Sequence, residues 1–428
     1  TDGDAVNQWN DLSGNSNNMI QSNNDSKPSY VSASNGVDFD GTNDSMKVTD
    51  FELGSIMTTF VVSKLDATSS IFLEHSIDTN SNSGFYFSPE GTGNGLIRNS
   101  GSYVLSMDRN SWFGIGQTNV GILKYDGTEL SYHKNSVNAA FTNPGTISNV
   151  TITDDLYLFS RAESQYFGNG QIFEILIFNN ALTDTEITKV NYYLSKKWGL
   201  ESSMDSDGDG IKDTYDKDPI DATNRVYVID TNTTLTSTVN FTSMGASEIE
   251  VTNNAVLTIQ ADMTFPTVNI NAQSQVILNS GIITGPVFKG SGDLTLNNAT
   301  LYSSEINVDT TQTSGHLRTN STLNLPAGFS QTGGALYLNI TNSTDIQNLI
   351  LQGNIQLNGN LNITKESSYV PIPGRKFQLI QLNDYNISGS TTVDVPELLK
   401  SYDWNTHPLI LNGSTRVIFS GHPSIGVE

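Results

Sequence analysis

Glu248-Ile249-Glu250-Val251, Val256-Leu257-Thr258-Ile259, Thr267-Val268-Asn269-Ile270, Gln275-Val276-Ile277-Leu278 and Asp293-Leu294-Thr295-Leu296 decide how the second half of this chain folds. In each, polar and apolar residues alternate, the period of a strand with one buried face. The pattern returns at Ala335-Leu336-Tyr337-Leu338, Asn354-Ile355-Gln356-Leu357 and Asn360-Leu361-Asn362-Ile363, with Asn and Gly as punctuation. Successive segments are often about ten residues apart, or about twenty for a pair. Strands this short cannot bury a face alone, but they can if successive coils stack. The two-residue Asn-Gly turns of hairpins do not dominate. A parallel β-solenoid is therefore expected from about 226 to 365, with a second sandwich as the alternative.

Working back towards the first residue, the texture changes at about 200. Residues 1 to 200 read as short strands between Gly/Asn/Asp turns, for example Thr59-Phe60-Val61-Val62-Ser63, Gly84-Phe85-Tyr86-Phe87-Ser88 and Asp155-Leu156-Tyr157-Leu158-Phe159. Such spacing predicts a sandwich or barrel. One helix interrupts it. Thr183 with Glu186 three residues on forms a capping box. Ile187, Val190, Tyr193 and Leu194 then share a helical face, and Gly199 suits the helix end.

Composition agrees with an all-β chain. Asn, Thr, Ser and Gly abound while the strong helix formers Lys, Arg and Glu are few. Only 36% of the 428 residues are hydrophobic, enough for strands that bury one face. The net charge of −23 disfavours nucleic acid and acidic membrane surfaces and favours divalent cations. No apolar run reaches the roughly 18 residues of a membrane span. The chain has no cysteine, so metals and not disulfides are left as staples. Sequons such as Asn24-Asp25-Ser26 and Asn298-Ala299-Thr300 are expected by chance in an Asn/Thr-rich sequence.

Between the halves, Asp205, Asp207, Asp209, Asp213, Asp216, Asp218 and Asp221 crowd together. Calcium takes six to eight oxygens, which a loop can present at positions 1, 3, 5, 7, 9 and 12. Counted from Asp205, carboxylates fall at 1, 3, 5, 9 and 12 (Asp205, Asp207, Asp209, Asp213 and Asp216). Ile211 at position 7 would offer its backbone carbonyl. Gly210 sits where the loop must turn, and Asp216 has a shorter reach than the Glu usual at the last position. A merely solvated linker would gain nothing from like charges at alternate positions. Ca2+ is thus the expected cofactor, and a second ion could draw on Asp216, Asp218 or Asp221.

This stretch resembles the thrombospondin type 3 repeat, with Asp-x-Asp-x-Asp-Gly followed by Asp216-Lys217-Asp218-Pro219. Upstream, three pieces resemble the laminin G/concanavalin A-like superfamily: Val6-Asn7-Gln8-Trp9-Asn10-Asp11-Leu12-Ser13-Gly14-Asn15, Gly36-Val37-Asp38-Phe39-Asp40-Gly41-Thr42-Asn43-Asp44, and Gly170-Gln171-Ile172-Phe173-Glu174-Ile175-Leu176-Ile177-Phe178 with the helix that follows. The resemblance implies a jelly-roll sandwich over 1–200, and it leaves glycan binding, protein binding and glycoside hydrolysis open. Its catalytic members carry closely spaced carboxylates on one strand. Here Glu174 stands alone, and Asp38 and Asp40 precede a turn, so no catalytic residue is expected. His75 and His133 lack acidic partners in sequence. Trp9, Trp112 and Trp198 read as core, and Tyr86, Tyr103 and Tyr132 are candidates to stack on a sugar.

In the solenoid the charges Asp262, Lys289, Asp293, Glu305, Asp309, Arg318 and Asp345 are scattered, without the clusters of solenoid lyases. From about 366 the segments Gly374–Ile380, Val395–Leu398, Tyr402–Asn405 and Leu409–Gly413 resemble the closing region of β-helical adhesins. The expected organisation is a sandwich (1–200), a calcium linker (201–224) and a capped solenoid (225–428). That set resembles Bacteroidetes surface proteins, including gliding-motility adhesins exported by the type IX system. It implies a non-catalytic extracellular adhesin or glycan-binding protein on a surface polysaccharide or glycoprotein, with no nucleic-acid partner and no membrane insertion. The rivals are a secreted polysaccharide-degrading enzyme and a structural filament or sheath component. In the related domains an apolar strand precedes the turn matched by Thr1-Asp2-Gly3-Asp4, so an upstream strand and a longer polypeptide are expected.

Overall fold

The structure is a computed structural model. It describes residues 1–67, 71–75, 85–89, 113–146, 151–285, 287–303, 305–318, 328–340 and 355–365, and the segments 91–94, 98–99, 102–103, 107–109, 323–325, 349–351, 376–382, 387–388, 392–394, 402–405 and 417–423. The chain divides into two units, one of residues 1–214 and 218–223, the other of 215–217 and 224–428. Among the described residues no helix is long and apolar enough to cross a membrane.

The first unit is a sandwich of two antiparallel sheets. One runs in the order Ala139–Pro144, Glu129–Lys134, Thr118–Tyr125, Met57–Leu65, Asn169–Phe178, Gly36–Asp40, Ser29–Val31. The other runs Gln8–Trp9, Met19–Ile20, Met46–Gly54, Thr151–Leu158, Leu73–His75, Tyr86–Phe87. The core holds Phe39, Val61, Phe72, Phe87, Leu123 and Leu158, all buried. At the edge, Gly3 N donates to Tyr30 O at 2.8 Å and Val6 N to Pro28 O at 2.8 Å, so residues 3–6 run along Ser29–Val31.

The central strand Met57–Leu65 is buried on both faces, and this explains the helix. Met57, Val61 and Leu65 face the second sheet, while Phe60 and Val62 face outward and need cover. Helix Asp184–Trp198 supplies it through Ile187 and Leu194, with Leu200 and Met204 beyond its end. Each such side chain contributes about 1.5–3 kcal/mol when fully buried. The capping box at Thr183 and Glu186 is present, and Gly199 ends the helix at φ 64°. The helical face differs from expectation at Tyr193, which is exposed, while Thr188 and Asn191 are buried. The Tyr193 hydroxyl needs a polar partner and finds Glu174 Oε1 at 3.3 Å on the rim.

The second unit is a parallel β-solenoid. After the first two strands, successive strands enter three sheets in rotation: Glu248–Val251, Val256–Ile259 and Met263–Thr264 begin a series continued by Thr267–Ile270, Gln275–Leu278 and Ile282–Thr284. Pairing is parallel and in register, so inward residues form columns. Ile249, Val268 and Phe288 stack in one sheet, Leu257, Val276 and Leu294 in the next, and Ile283, Leu301, Leu317, Leu336 and Leu361 in the third. All of these residues are buried.

Both ends of the first of these sheets change direction. Before it, Asp216 bridges Tyr227 antiparallel, and Tyr215 stacks on Tyr227 at 4.9 Å. After it, Lys376–Leu382 pairs antiparallel with Val417–Pro423, which pairs antiparallel with Tyr402–Asn405. Gly374, Arg375, Val395–Leu398 and Leu409–Gly413 of the expected closing region lie outside the described residues, as does Asp345.

Candidate metal centre

The acidic loop is folded onto the first unit. Asp205 bridges Ser136, its N–H donates to Asn135 O at 3.0 Å, and Asn138 Nδ2 donates to Gly208 O at 2.7 Å. The receiving turn is itself braced. Asn135 Oδ1 accepts from Val120 N at 2.7 Å, and Asn135 Nδ2 donates to Asn119 Oδ1 at 2.7 Å. His133, buried beside it, contacts Val137 O through Nδ1 at 2.7 Å. Gly208 must be glycine: φ is +79°, and a Cβ there would lie 2.4 Å from the Asn138 amide nitrogen.

Alternation then turns carboxylates inward. Oxygens of Asp205, Asp207 and Asp209 all lie within 4.8 Å of one another. Asp205 accepts from Gly208 N at 2.8 Å and from Gly210 N at 3.1 Å, which shapes the turn. Asp207 Oδ1 accepts from Asp209 N, and Asp209 Oδ1 accepts from Ile211 N at 2.7 Å. Ile211 buries its side chain completely. Burial pushes the carboxyls of Asp205 and Asp207 above the ordinary range, Asp207 to about 6 with help from the neighbouring aspartates. Asp207 Oδ2 is buried with no hydrogen-bond partner among the described residues. A buried anionic oxygen left this way is costly unless a cation meets it.

Asp213, Asp216 and Asp218, also expected as ligands, are not part of this three-carboxylate cluster among the described residues. Asp213 spends both oxygens on Ser206, Oδ1 on the backbone N–H and Oδ2 on the hydroxyl, each at 2.7 Å. Asp216 is buried and belongs to the second unit. Asp218 is half-buried, and its carbonyl accepts from Asp221 N at 2.9 Å. The Asp221 carboxylate caps Thr223 at 3.0 Å and 2.7 Å. Asp205, Asp207 and Asp209 thus form the cluster, and their hard oxygens suit Ca2+. Sequence reasoning did not find Asn135 and Asn138, because supports seventy residues distant leave no local pattern, nor Ser206, whose role inside the loop depends on the fold of the turn.

The other candidates settle into structural roles. Glu174 ties strand to helix, taking Lys197 Nζ at 2.8 Å on Oε1 and Trp198 Nε1 at 2.7 Å on Oε2. Asp40 holds its turn through Thr42 N at 2.7 Å, and burial raises the carboxyl of Asp38. His75 is buried with Nε2 2.8 Å from Phe51 O. Tyr132 is fully buried and Tyr86 nearly so, which removes them as solvent-facing platforms. Trp9 and Trp198 pack at the core margins. Trp112 and the side chain of Tyr103 lie outside the described residues. A buried pair escaped the sequence altogether: Arg161 Nε donates to both Glu74 oxygens, at 2.9 and 2.8 Å, with Tyr166 4.8 Å from the guanidinium.

No family model matches the chain, and no curated protein matches it significantly. Among solved structures it is similar to domain 4 of AbnA, an extracellular arabinanase of Geobacillus stearothermophilus in complex with arabinotriose, at 14% identity over 44% of this chain and 89% of that one, with a TM-score of 0.31. It is similar to Trypanosoma rangeli sialidase in complex with sialic acid, at 10% identity over 46% of this chain and 32% of that one, TM-score 0.33. A heptameric pentraxin of Limulus polyphemus matches at 13% identity over 36% of this chain and 81% of that one, TM-score 0.26. The chain spans about a third of the sialidase's length. The fold stands on the strand pairing described above.

Proposed function

We propose that this chain is a non-catalytic, calcium-stabilised extracellular adhesin or glycan-binding protein of a cell surface. The observation that carries the calcium part is the cluster of Asp205, Asp207 and Asp209, with the buried Asp207 Oδ2 facing no protein donor among the described residues. Ile211 and Asp213 complete the proposed ion-binding loop, the latter as the clasp that holds its shape. The non-catalytic part is supported by Glu174, whose oxygens are occupied by Lys197 and Trp198 in a structural tie. The adhesive role, the polysaccharide or glycoprotein partner and export by a type IX route rest on the sequence resemblances.

Calorimetric titration of the chelated chain with calcium, alongside the Asp207→Asn variant, tests the ion. Heat with the wild type and none with the variant is expected. A glycan array tests adhesion, and reducing-end release from plant and algal polysaccharides tests the enzymatic rival. Turnover abolished by Glu174→Gln would replace this reading with that of a glycosidase.

A further inference from the structure

The outward face of the third solenoid sheet carries Tyr302, Arg318 and Tyr337 on three successive coils, as direct lateral partners. The flanking strands show why these side chains stand outward. Leu301, Leu317 and Leu336 between them are buried, and Tyr302, Arg318 and Tyr337 are partly exposed. Coils stack at about 4.8 Å, so the three residues form one short column. Beside it runs a second column, Thr300 then His316, also in register. His316 is exposed, lies 3.4 Å from Thr300 Oγ1 through Nδ1, and packs edge-on to Tyr337 at 5.2 Å.

Arg318 is the unusual member. Its guanidinium carbon lies 3.8 Å from the centroid of the Tyr337 ring, so one flat face is covered and the group is held. In contrast with Lys217 and Lys289, which pair with Glu250 and Glu248, Arg318 has no carboxylate within ion-pair distance among the described residues. The chain carries 44 acidic residues against 21 Lys and Arg, so a positive group presented on an aromatic ring stands out against a strongly acidic background. A guanidinium stacked on an aromatic ring keeps its in-plane N–H edge directed outward. That edge matches a carboxylate bidentately. Aromatic side chains on either side in the column offer flat apolar surface to the ring of a sugar.

We propose that this column is a binding site for an acidic polysaccharide, with a uronate carboxylate on Arg318, sugar rings against Tyr302 and Tyr337, and His316 and Thr300 as flanking polar contacts. The ligand class deepens the reading of the chain as a polysaccharide binder and rests on it; the site's residues all belong to the second unit, whereas the acidic cluster belongs to the first.

The test uses the full chain in calcium, with polygalacturonate as probe and methyl-esterified polygalacturonate, dextran and dextran sulfate as comparators. Polygalacturonate is expected to bind and its esterified form to bind far more weakly. Arg318→Gln is expected to lower affinity about tenfold to a hundredfold, the loss of one charge-assisted contact. Arg318→Lys, which keeps the charge and loses the planar fork, is expected to fall between. The substitutions are outward, and an unchanged circular dichroism spectrum establishes that each variant is folded. Wild-type affinity in folded Arg318→Gln overturns the site and leaves the broader reading intact. Tight binding of dextran sulfate without polygalacturonate overturns the uronate. Binding to none of these polymers, nor to any glycan on the array, overturns both.

Discussion

Asp213 grips Ser206 with both oxygens, accepting the backbone N–H at 2.7 Å and the hydroxyl at 2.7 Å across seven residues of the acidic loop. The grip closes the turn that brings Asp205, Asp207 and Asp209 together. It separates two roles that a count of ligands by spacing would merge. One set of aspartates, Asp205, Asp207 and Asp209, clusters where a cation could bind, and another holds the loop in shape.

The separation is measurable. Asp213→Ala leaves the Ser206 donors without their acceptor, at a cost of about 1–3 kcal/mol. The first unit is expected to melt lower in Asp213→Ala both with calcium and with EDTA. Asp207→Asn is expected to melt like wild type in EDTA, or higher, and to lose only the increment that calcium adds. Thermal melts in the two buffers check both.

The calcium increment is expected to depend on pH. Asp207 is raised to about 6 by burial and by its acidic neighbours. In the ion-free protein the folded state therefore holds a proton that the unfolded chain releases near 4. Between those values stability falls as pH rises, and the penalty is complete above about 6. Calcium relieves a charged carboxylate and competes with its proton. The difference in melting temperature between calcium and EDTA is thus expected to be small at pH 5 and full by pH 7.5. A difference that does not change with pH would remove Asp207 from the site.

His133 gives the opposite limb. Burial lowers its pKa to about 4, and its ring sits between Val137 O and Ser131 Oγ in the neutral form. A base depressed in the folded state contributes stability above about 6.5 that is lost as pH falls through about 4. His133→Leu leaves Val137 O unpaired and is expected to cost about 1–3 kcal/mol at pH 7. The variant's deficit is expected to shrink at pH 4.5, as read from urea midpoints at the two values.

Asn191 points the other way. It is fully buried under the helix, and neither amide atom has a hydrogen-bond partner among the described residues. Asn191→Leu keeps a similar volume and removes two unsatisfied groups. It is expected to stabilise the first unit by about 1–3 kcal/mol, as a higher denaturation midpoint with an unchanged slope.

What could be read from the sequence was local. The capping box at Thr183 and the alternation of Glu248–Val251, Val256–Ile259 and Thr267–Ile270 are patterns within one segment, and each became the element expected. Asp309–Gln312 gave no such signal, because its inward residues Thr310 and Gln312 are polar. Gln312 is tolerated inside because its Nε2 donates to Ala335 O at 3.1 Å on the next coil. The metal loop was legible as a run of aspartates, yet not as a division of labour. Asp213 and Asp209 look alike in sequence, and only the position of Ser206 distinguishes them. Arg161 and Glu74, or Asn138 and Gly208, meet only once the sheets are paired.

The solenoid has one further property that follows from its closure at both ends. Asp216 lies antiparallel to the first strand of one sheet, and Val417–Pro423 lies antiparallel to the last strand of its parallel run. Among the described residues, the coils from Glu248 onward pass through the same three sheets in the same order, paired in parallel with their neighbours. A whole coil could therefore be duplicated or deleted without disturbing either terminus, changing the length in steps of about 4.8 Å. Insertions of other sizes would have to be accommodated at the corners. The second unit is in this sense a ruler, and gene duplication can reset its span without redesigning its ends.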